Sequence, residues 1–287
     1  MHSFLFDEAY IHDFIVRGLA EDVHTGDITS LACIQPDKRS KAILKVKDDG
    51  VLAGVTLAER ILRHVDADAE IKVNIQDGSS VSYGDVAFEV TANSQALLKA
   101  ERLLLNTMQR MSGIATMSNR FAFEVEDLPV KILDTRKTTP LLRHLEKWAV
   151  SLGGCQNYRT GLYDWFMIKD NHVEAAGGVQ KALREVQSYK EKNNMEHFGV
   201  TVEVRNLVEL HEALDTGLFN RVMLDNFELP LLREAVLTVN RVYETEASGG
   251  ITIHNIRKYA LTGVNFVSVG ALTHSAQCLD LSLKISG

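Results

Sequence analysis

Val130-Lys-Ile-Leu133 followed by Asp134-Thr-Arg-Lys-Thr-Thr-Pro140 decides how the second half of this 287-residue chain is read. A short apolar run that stops at an acid and then presents adjacent Arg136 and Lys137 is costly to build for stability. Neighbouring cations repel, and neither is buried unpaired without a large penalty. The pair makes sense around an anion. Thr139 followed by Pro140 predicts a helix N-cap with proline at the first helical position. The cations then fall in a short loop between a strand and a helix, where ligands bind in α/β folds.

The same strand, loop, helix pattern repeats downstream. Strand-like runs cover Val130–Leu133, Trp165–Ile168, Val200–Val204, Arg221–Leu224, Val242–Ala247 and Val264–Val269. Helix-like segments separate them: Pro140–Leu152, Val179–Glu191, Leu207–Leu214, Pro230–Val239 and His254–Leu261. Alternation of this kind gives a parallel sheet. Six such strands without edge-strand chemistry predict an incomplete or six/seven-stranded α/β barrel, with an open doubly wound sheet as the alternative.

Upstream the pattern differs. Asp7–Glu21 spaces Ile11, Phe14, Ile15 and Leu19 as a helix. Short runs at Ala42–Val46, Ile71–Ile75 and Val86–Val90, with turns at Asp77-Gly78 and Tyr83-Gly84-Asp85, read as an antiparallel α+β unit. Asn93-Ser94 caps a long helix whose apolar stripe runs to Ser112-Gly113. The division expected is an N-terminal sandwich domain over residues 1–113 and a barrel over 114–275, with 276–287 returning to the first.

Composition fits a globular protein, with 45% apolar and 24% charged residues. No apolar stretch approaches the length of a membrane span, and acids in Met1–Phe14 do not suit a signal peptide. A cytoplasmic location is expected. Cys33, Cys155 and Cys278 form no CxxC pair and read as structural thiols. A net charge of −7 disfavours nucleic acid as a partner and makes local Arg/Lys clusters stand out.

The residues at the end of each strand-like run carry the functional reading. The first run ends at Asp134, Arg136 and Lys137, and the second at Lys169-Asp-Asn-His172. The third contains Glu203 and the fourth ends at Asp225-Asn226. The fifth ends at Ser248-Gly249-Gly250 and the sixth at Gly270. Parallel barrel strands deliver these ends to one face. Asp170, Asn171 and Asn226 serve equally well as caps or turns, and His172 reads as a capping or surface residue. Glu203 and Asp225 either pair with Lys137 and Lys169 or hold a metal. The Gly249-Gly250 turn offers bare N–H groups to a phosphate, although Ala176-Gly-Gly-Val179 has the same form. The sum is a site for a polyanion carrying phosphates and carboxylates, with Mg²⁺ as the metal it suits.

These motifs, with Glu21-Asp22, Gly26-Asp-Ile-Thr29, Glu101-Arg102, Val202-Glu-Val204, Met223-Leu-Asp-Asn-Phe227 and Ser268-Val-Gly270, resemble the quinolinate phosphoribosyltransferase family over nearly the whole chain, in order. The resemblance implies the type II phosphoribosyltransferase fold, an N-terminal α/β sandwich with an α/β barrel. It implies a homodimer in which the sandwich of one subunit closes the barrel mouth of the other. It implies transfer from phosphoribosyl pyrophosphate to quinolinate, with Mg²⁺, giving nicotinate mononucleotide, pyrophosphate and CO₂. By position, Arg136, Arg159 and Lys169 would bind the carboxylates, beside Thr138 and Tyr158, with Lys137 near the reacting centre. Arg102 would reach in from the partner subunit. Glu203 and Asp225 would face the ribose hydroxyls and the metal, directly or through substrate. Ser248, Gly249, Gly250 and Gly270 would hold the 5′-phosphate.

The chain departs from the family pattern twice. Tyr158 stands where the family usually has His before Arg159. Leu141 stands where Gly is common, which predicts only a packing adjustment. Two rival readings keep the same residues: a Schiff-base lyase using Lys169 as nucleophile, and a molybdenum-transport-associated paralogue or silent binding module of the same fold.

Overall fold

The computed structural model describes residues 7–286. From the N-terminus the elements are α1 (Glu8–Val23), α2 (Ile28–Cys33), β1 (Arg39–Val46), β2 (Gly50–Val51), α3 (Val55–Val65), β3 (Glu70–Val73), β4 (Ser80–Val81), β5 (Val86–Asn93) and α4 (Ser94–Phe123). Next come β6 (Lys131–Leu133), α5 (Arg143–Leu152), β7 (Phe166–Ile168), α6 (Asp170–Ala176), α7 (Val179–Lys192), β8 (Val200–Val204) and α8 (Leu207–Thr216). The chain closes with β9 (Arg221–Asp225), α9 (Leu229–Val239), β10 (Glu244–Ser248), α10 (Ile256–Ala260), β11 (Phe266–Ser268), α11 (Ala271–His274) and β12 (Leu281–Ser286). These fall into two compact units. One holds the chain through Asn119, Thr139–Gly154 and the segment from Ser275; the other holds Arg120–Thr138 and Cys155–His274. Residues 139–154, inside the stretch 114–275 that the sequence reading gives to the barrel, thus group with the first unit.

In the first unit an antiparallel sheet runs in the order β12-β1-β5-β3. Ala42, Leu44 and Val46 alternate inward along β1 and are fully buried, the period-two pattern of a half-buried strand. The C-terminal strand β12 pairs with β1, from Lys41↔Ser286 to Val46↔Leu281. Helix α1 buries Ile11, Ile15 and Leu19, each worth about 1.5–3 kcal/mol. Asp7 caps it, accepting from the N–H groups of Ala9 and Tyr10. Asp77 of the expected turn has a second role: it accepts from the N–H groups of Val55 and Thr56 at 2.8 and 3.0 Å and so caps α3.

Two expected helix ends differ from the structure. Helix α4 does not stop at Ser112-Gly113 but runs on to Phe123. Gly113 is there for close packing, because a Cβ at this position would lie 1.9 Å from the Gln277 carbonyl oxygen. Ser112 donates its hydroxyl to the Ala53 carbonyl at 3.1 Å. Likewise Thr139 and Pro140 do not start α5. The helix begins at Arg143, because Leu141 takes the left-handed conformation (φ 68°) and breaks the helical path. The adjustment at Leu141 is therefore one of backbone rather than packing, since the side chain is exposed. An L-residue there carries about 1–2 kcal/mol of strain. The segment is held in place: Tyr10 donates its hydroxyl to the Leu141 carbonyl at 2.8 Å, and the Thr139 N–H donates to Glu146 at 3.2 Å.

In the second unit six parallel strands take the order β6-β11-β10-β9-β8-β7. Each neighbour is the next strand in the chain, except that the first, β6, pairs with the last, β11. First-to-last pairing is what a barrel requires and an open doubly wound sheet lacks. Between β6 and β7 the described residues show no ladder. A single bridge, Leu133↔Gln156, lies there instead, so the barrel is incomplete on that side. Strand β8 is buried at all five positions, as expected where both faces are covered. Among the described residues no helix is long and apolar enough to cross a membrane.

Candidate active site

The C-terminal ends of these strands converge on a cavity of about 310 Å³. Arg136 and Lys137 from the loop after β6, Arg159 and Tyr158 from the segment before β7, and Lys169 at the end of β7 all line it. Ser248 at the end of β10 and Ser268 at the end of β11 complete the polar wall, while Met167 and Met223 supply an apolar one. Four cations and two methionines suit a flat ring bearing several negative charges. The Arg159 guanidinium is held below its ordinary pKa, first by burial and then by the charge of Arg136. A bound anion offsets both penalties.

Local structure explains why these side chains meet. Asp134, fully buried at the end of β6, accepts from the Asn157 amide and the Tyr158 N–H, each at 2.8 Å. That carboxylate fixes the segment carrying Tyr158 and Arg159 beside the loop carrying Arg136 and Lys137. Lys169 Nζ lies 3.1 Å from Glu203 Oε2. Glu203 pairs in register with Met223, and Asp225 lies two residues beyond Met223 on β9. Both acids therefore share the face that includes cavity-lining Met223. Ser248 is in register with Asp225, and the Asn226 amide donates to Asp225 at 2.7 Å. His172 has the capping role: its Nδ1 accepts from the Lys169 N–H at 2.9 Å.

The glycines expected to hold the phosphate are constrained in different ways. Gly249 has φ 95°, and a Cβ there would lie 2.1 Å from Asn226 Oδ1. Gly250 is also left-handed, with open space where its Cβ would be. Gly270 lies under the Lys137 side chain and beside the exposed imidazole of His274. Glu203, Asp225, Gly249, Gly250 and Gly270 do not line the cavity, and neither do two further expected residues. Arg102 is on α4 in the first unit, where it lines a different cavity of about 340 Å³ together with Glu21, Asp22 and Arg110. Thr138 does not line the barrel cavity.

Sequence reasoning did not single out what lies behind Tyr158. Its hydroxyl shares a 2.6 Å hydrogen bond with Thr201 Oγ1, which also accepts from the Trp165 indole at 2.9 Å. Burial pushes the phenol upward from its ordinary pKa. The Arg221 guanidinium lies 5.0 Å from the Tyr158 ring and 3.7 Å from that of Phe266. Arg221 pairs with the fully buried Glu246 at 3.3 Å, and Ser268 donates its hydroxyl to the same carboxylate. A lone Arg, Thr or Ser within an apolar strand gives no sequence signal of such a network.

Among the described residues no three His, Cys, Asp or Glu side chains group as a metal cage. Two carboxylates at adjacent strand ends fit one kind of divalent site, in which substrate phosphates complete the coordination of Mg²⁺.

Comparisons with known proteins point to one family. The model of the quinolinate phosphoribosyl transferase C-terminal domain matches residues 114–284, and that of the N-terminal domain residues 27–112. The chain is 46% identical to quinolinate phosphoribosyltransferase [decarboxylating] 1b of Nicotiana tabacum, covering 94% of this chain and 81% of that one. It is 38% identical to a probable nicotinate-nucleotide pyrophosphorylase [carboxylating] of Bacillus subtilis, covering 93% and 90%. The crystal structure of NadC from Streptococcus pyogenes superposes with a TM-score of 0.91 at 36% identity, covering 96% of both chains. Two domain models in tandem, relatives matched over most of their length and a matching architecture place this chain in the quinolinate phosphoribosyltransferase family.

Proposed function

We propose that this protein transfers the phosphoribosyl group of phosphoribosyl pyrophosphate to quinolinate with loss of CO₂, forming nicotinate mononucleotide for NAD biosynthesis. The observation that carries the reading is the convergence of Arg136, Lys137, Arg159 and Lys169 on one cavity at the barrel's strand ends. Quinolinate is a flat dicarboxylate, and planar guanidinium groups bind carboxylates in bidentate fashion. Arg136, Arg159 and Lys169 hold the two carboxylates and aim the ring nitrogen at the ribose C1. Ser248, Gly249, Gly250 and Gly270 hold the 5′-phosphate on backbone N–H groups.

As the bond from C1 to pyrophosphate breaks, its electron pair leaves with pyrophosphate and positive charge develops at C1. Glu203 and Asp225 face that charge and the ribose hydroxyls. The ring nitrogen forms the new bond to C1 and becomes cationic. The carbon–carbon bond to the 2-carboxylate then breaks, CO₂ departs, and the electron pair stays on the ring carbon beside the cationic nitrogen. A proton completes that carbon. Lys137 is the cation nearest this centre in the reading, and it acts through charge. Glu203 and Asp225 would hold Mg²⁺ through substrate oxygens, and the ion would neutralise charge on the leaving pyrophosphate.

A homodimer belongs to the same reading, with Arg102 completing the neighbour's site. Its exposure on α4 supports that role. Cys33, Cys155 and Cys278 take part in no disulfide among the described residues, which suits a reducing cytosol. The Schiff-base alternative loses ground on one distance. A lysine nucleophile must shed its proton, whereas Lys169 is ion-paired with a carboxylate at 3.1 Å.

The test is quinolinate-dependent release of pyrophosphate and CO₂ from phosphoribosyl pyrophosphate. Wild-type protein should show both in equal amounts, and Arg136→Ala should lose both. Pyrophosphate release that ignores quinolinate, or an Arg136→Ala rate equal to wild type, would sink the assignment.

A further inference from the structure

Lys137 is an exposed side chain on a loop, so something must fix its backbone if it is to act at a defined point. The structure shows what does. Thr273 is fully buried in α11. Its hydroxyl oxygen lies 2.8 Å from the Lys137 carbonyl oxygen and 3.2 Å from the Gly270 carbonyl oxygen. A threonine hydroxyl reaching back to the carbonyl three residues earlier is ordinary helix chemistry. Reaching across 136 residues to the Lys137 loop is not.

The hydroxyl carries one hydrogen, and the shorter distance assigns it chiefly to Lys137. Gly270 already receives the N–H groups of Thr273 and His274, each at 3.2 Å, so its carbonyl remains satisfied. The Lys137 N–H in turn donates to Thr135 Oγ1 at 3.0 Å. Both polar groups of the Lys137 backbone are therefore engaged by threonine hydroxyls. The side chain then runs directly over Gly270, where a Cβ would lie 3.1 Å from Lys137 Cδ.

We infer that Thr273 is a positioning residue, which through one hydroxyl locks the Lys137 loop to the Gly270 turn and so fixes the distance between the acceptor side and the phosphate side of the site. The two strands beneath are already in register, Ser268 opposite Leu133. Thr273 extends that register past the strand ends, where ladder hydrogen bonds no longer reach. This rests on the proposed function only for naming the two sides; the lock is a property of the loop and turn themselves.

Thr273→Val keeps the shape and removes the hydroxyl. Thr273→Ser keeps the hydroxyl and removes a buried methyl group. Both lose some thermal stability, so melting temperature alone does not separate them. The expected result is that Thr273→Val lowers kcat by ten- to a hundredfold, on the order of what a misplacement near 1 Å costs, while Thr273→Ser stays within about twofold of wild type. Crystal structures give a reading independent of activity. In Thr273→Val the Lys137 backbone should move by more than about 0.5 Å, the tolerance of a working site, and in Thr273→Ser it should not. Equal kcat in all three proteins, equal losses in both variants, or an unmoved Lys137 in Thr273→Val would overturn the inference. An inactive wild type would count against the proposed function instead, and the position of Lys137 would still decide the lock.

Discussion

Glu203 is buried at the end of β8, yet its Oε2 lies 3.1 Å from the ammonium of Lys169, whose side chain is 44% exposed. The two partners face different environments, so their removal has different costs. Lys169 alone stays solvated; Glu203 alone is a desolvated carboxylate without its cation. Glu203→Gln keeps the shape and removes the charge. The expected outcome is a protein that folds normally, with kcat reduced about a hundredfold, as for other single electrostatic groups at a transition state. The check is kcat measured beside the melting temperature. An unchanged kcat with a lowered melting temperature would give Glu203 a purely structural role.

Much of this site was legible because a strand that ends in a charge is a strong statement. The runs before Asp134, Lys169 and Asp225 and around Glu203 all became parallel strands whose ends meet. What failed was local punctuation read without tertiary context. Gly113 looks like a helix end but lets α4 approach Gln277, and Thr139-Pro140 looks like a cap but precedes a left-handed Leu141. Thr273 was invisible for a related reason. A threonine in a short apolar segment reads as core, and only the folded chain shows a carbonyl 136 residues away within reach of its hydroxyl.

Tyr158 is anchored from behind the cavity it lines. Its hydroxyl is bonded to Thr201 at 2.6 Å, and its ring lies 5.0 Å from Arg221. Tyr158→Phe retains the ring and breaks the hydroxyl bond. A loss of about 1–3 kcal/mol in stability is expected, because the hydroxyl also bonds the buried Glu246 carboxylate. The quinolinate KM should stay within about threefold of wild type, a change worth roughly 0.6 kcal/mol. Denaturant unfolding and steady-state kinetics on the same preparations check both. A tenfold rise in KM would show that the hydroxyl reaches substrate.

Acid stability is set in part at a surface clamp away from the cavity. Arg257 donates twice to Asp127, both bonds at 2.7 Å, and once to the Glu124 carbonyl at 2.9 Å. The hydrogen bond from Arg257 brings the Asp127 carboxyl down from 3.8 to about 2. A carboxyl depressed in the folded state contributes stability above its unfolded pKa and loses it as pH falls through the folded one. Between pH values of about 4 and 2, wild type should therefore lose melting temperature more steeply than Asp127→Asn. Parallel curves for the two proteins would remove Asp127 from the acid response.

Gly249 is where the proposed phosphate cradle and the fold make the same demand. Its φ of 95° disfavours any side chain, and a Cβ would meet Asn226 Oδ1 at 2.1 Å. Asn226 is tied in turn: its N–H donates to the Ser248 carbonyl at 2.8 Å and its amide to Asp225 at 2.7 Å. An alanine at 249 must push Asn226 away and with it Asp225, so the damage passes from the phosphate turn to an acid of the ribose side. Gly249→Ala is expected to raise the KM for phosphoribosyl pyrophosphate and to lower kcat, each by about tenfold or more. Stability should fall by about 1–3 kcal/mol for the strained backbone. Asn226→Ala removes the side-chain part of the clash, while the 2.9 Å approach to the backbone nitrogen of residue 226 and the φ of Gly249 stay as they are. If Gly249→Ala in that background recovers phosphoribosyl pyrophosphate KM but not stability, the clash governs the site and the backbone angle governs the fold. If neither recovers, the backbone contact at residue 226 and the φ of the turn, rather than the Asn226 side chain, govern both.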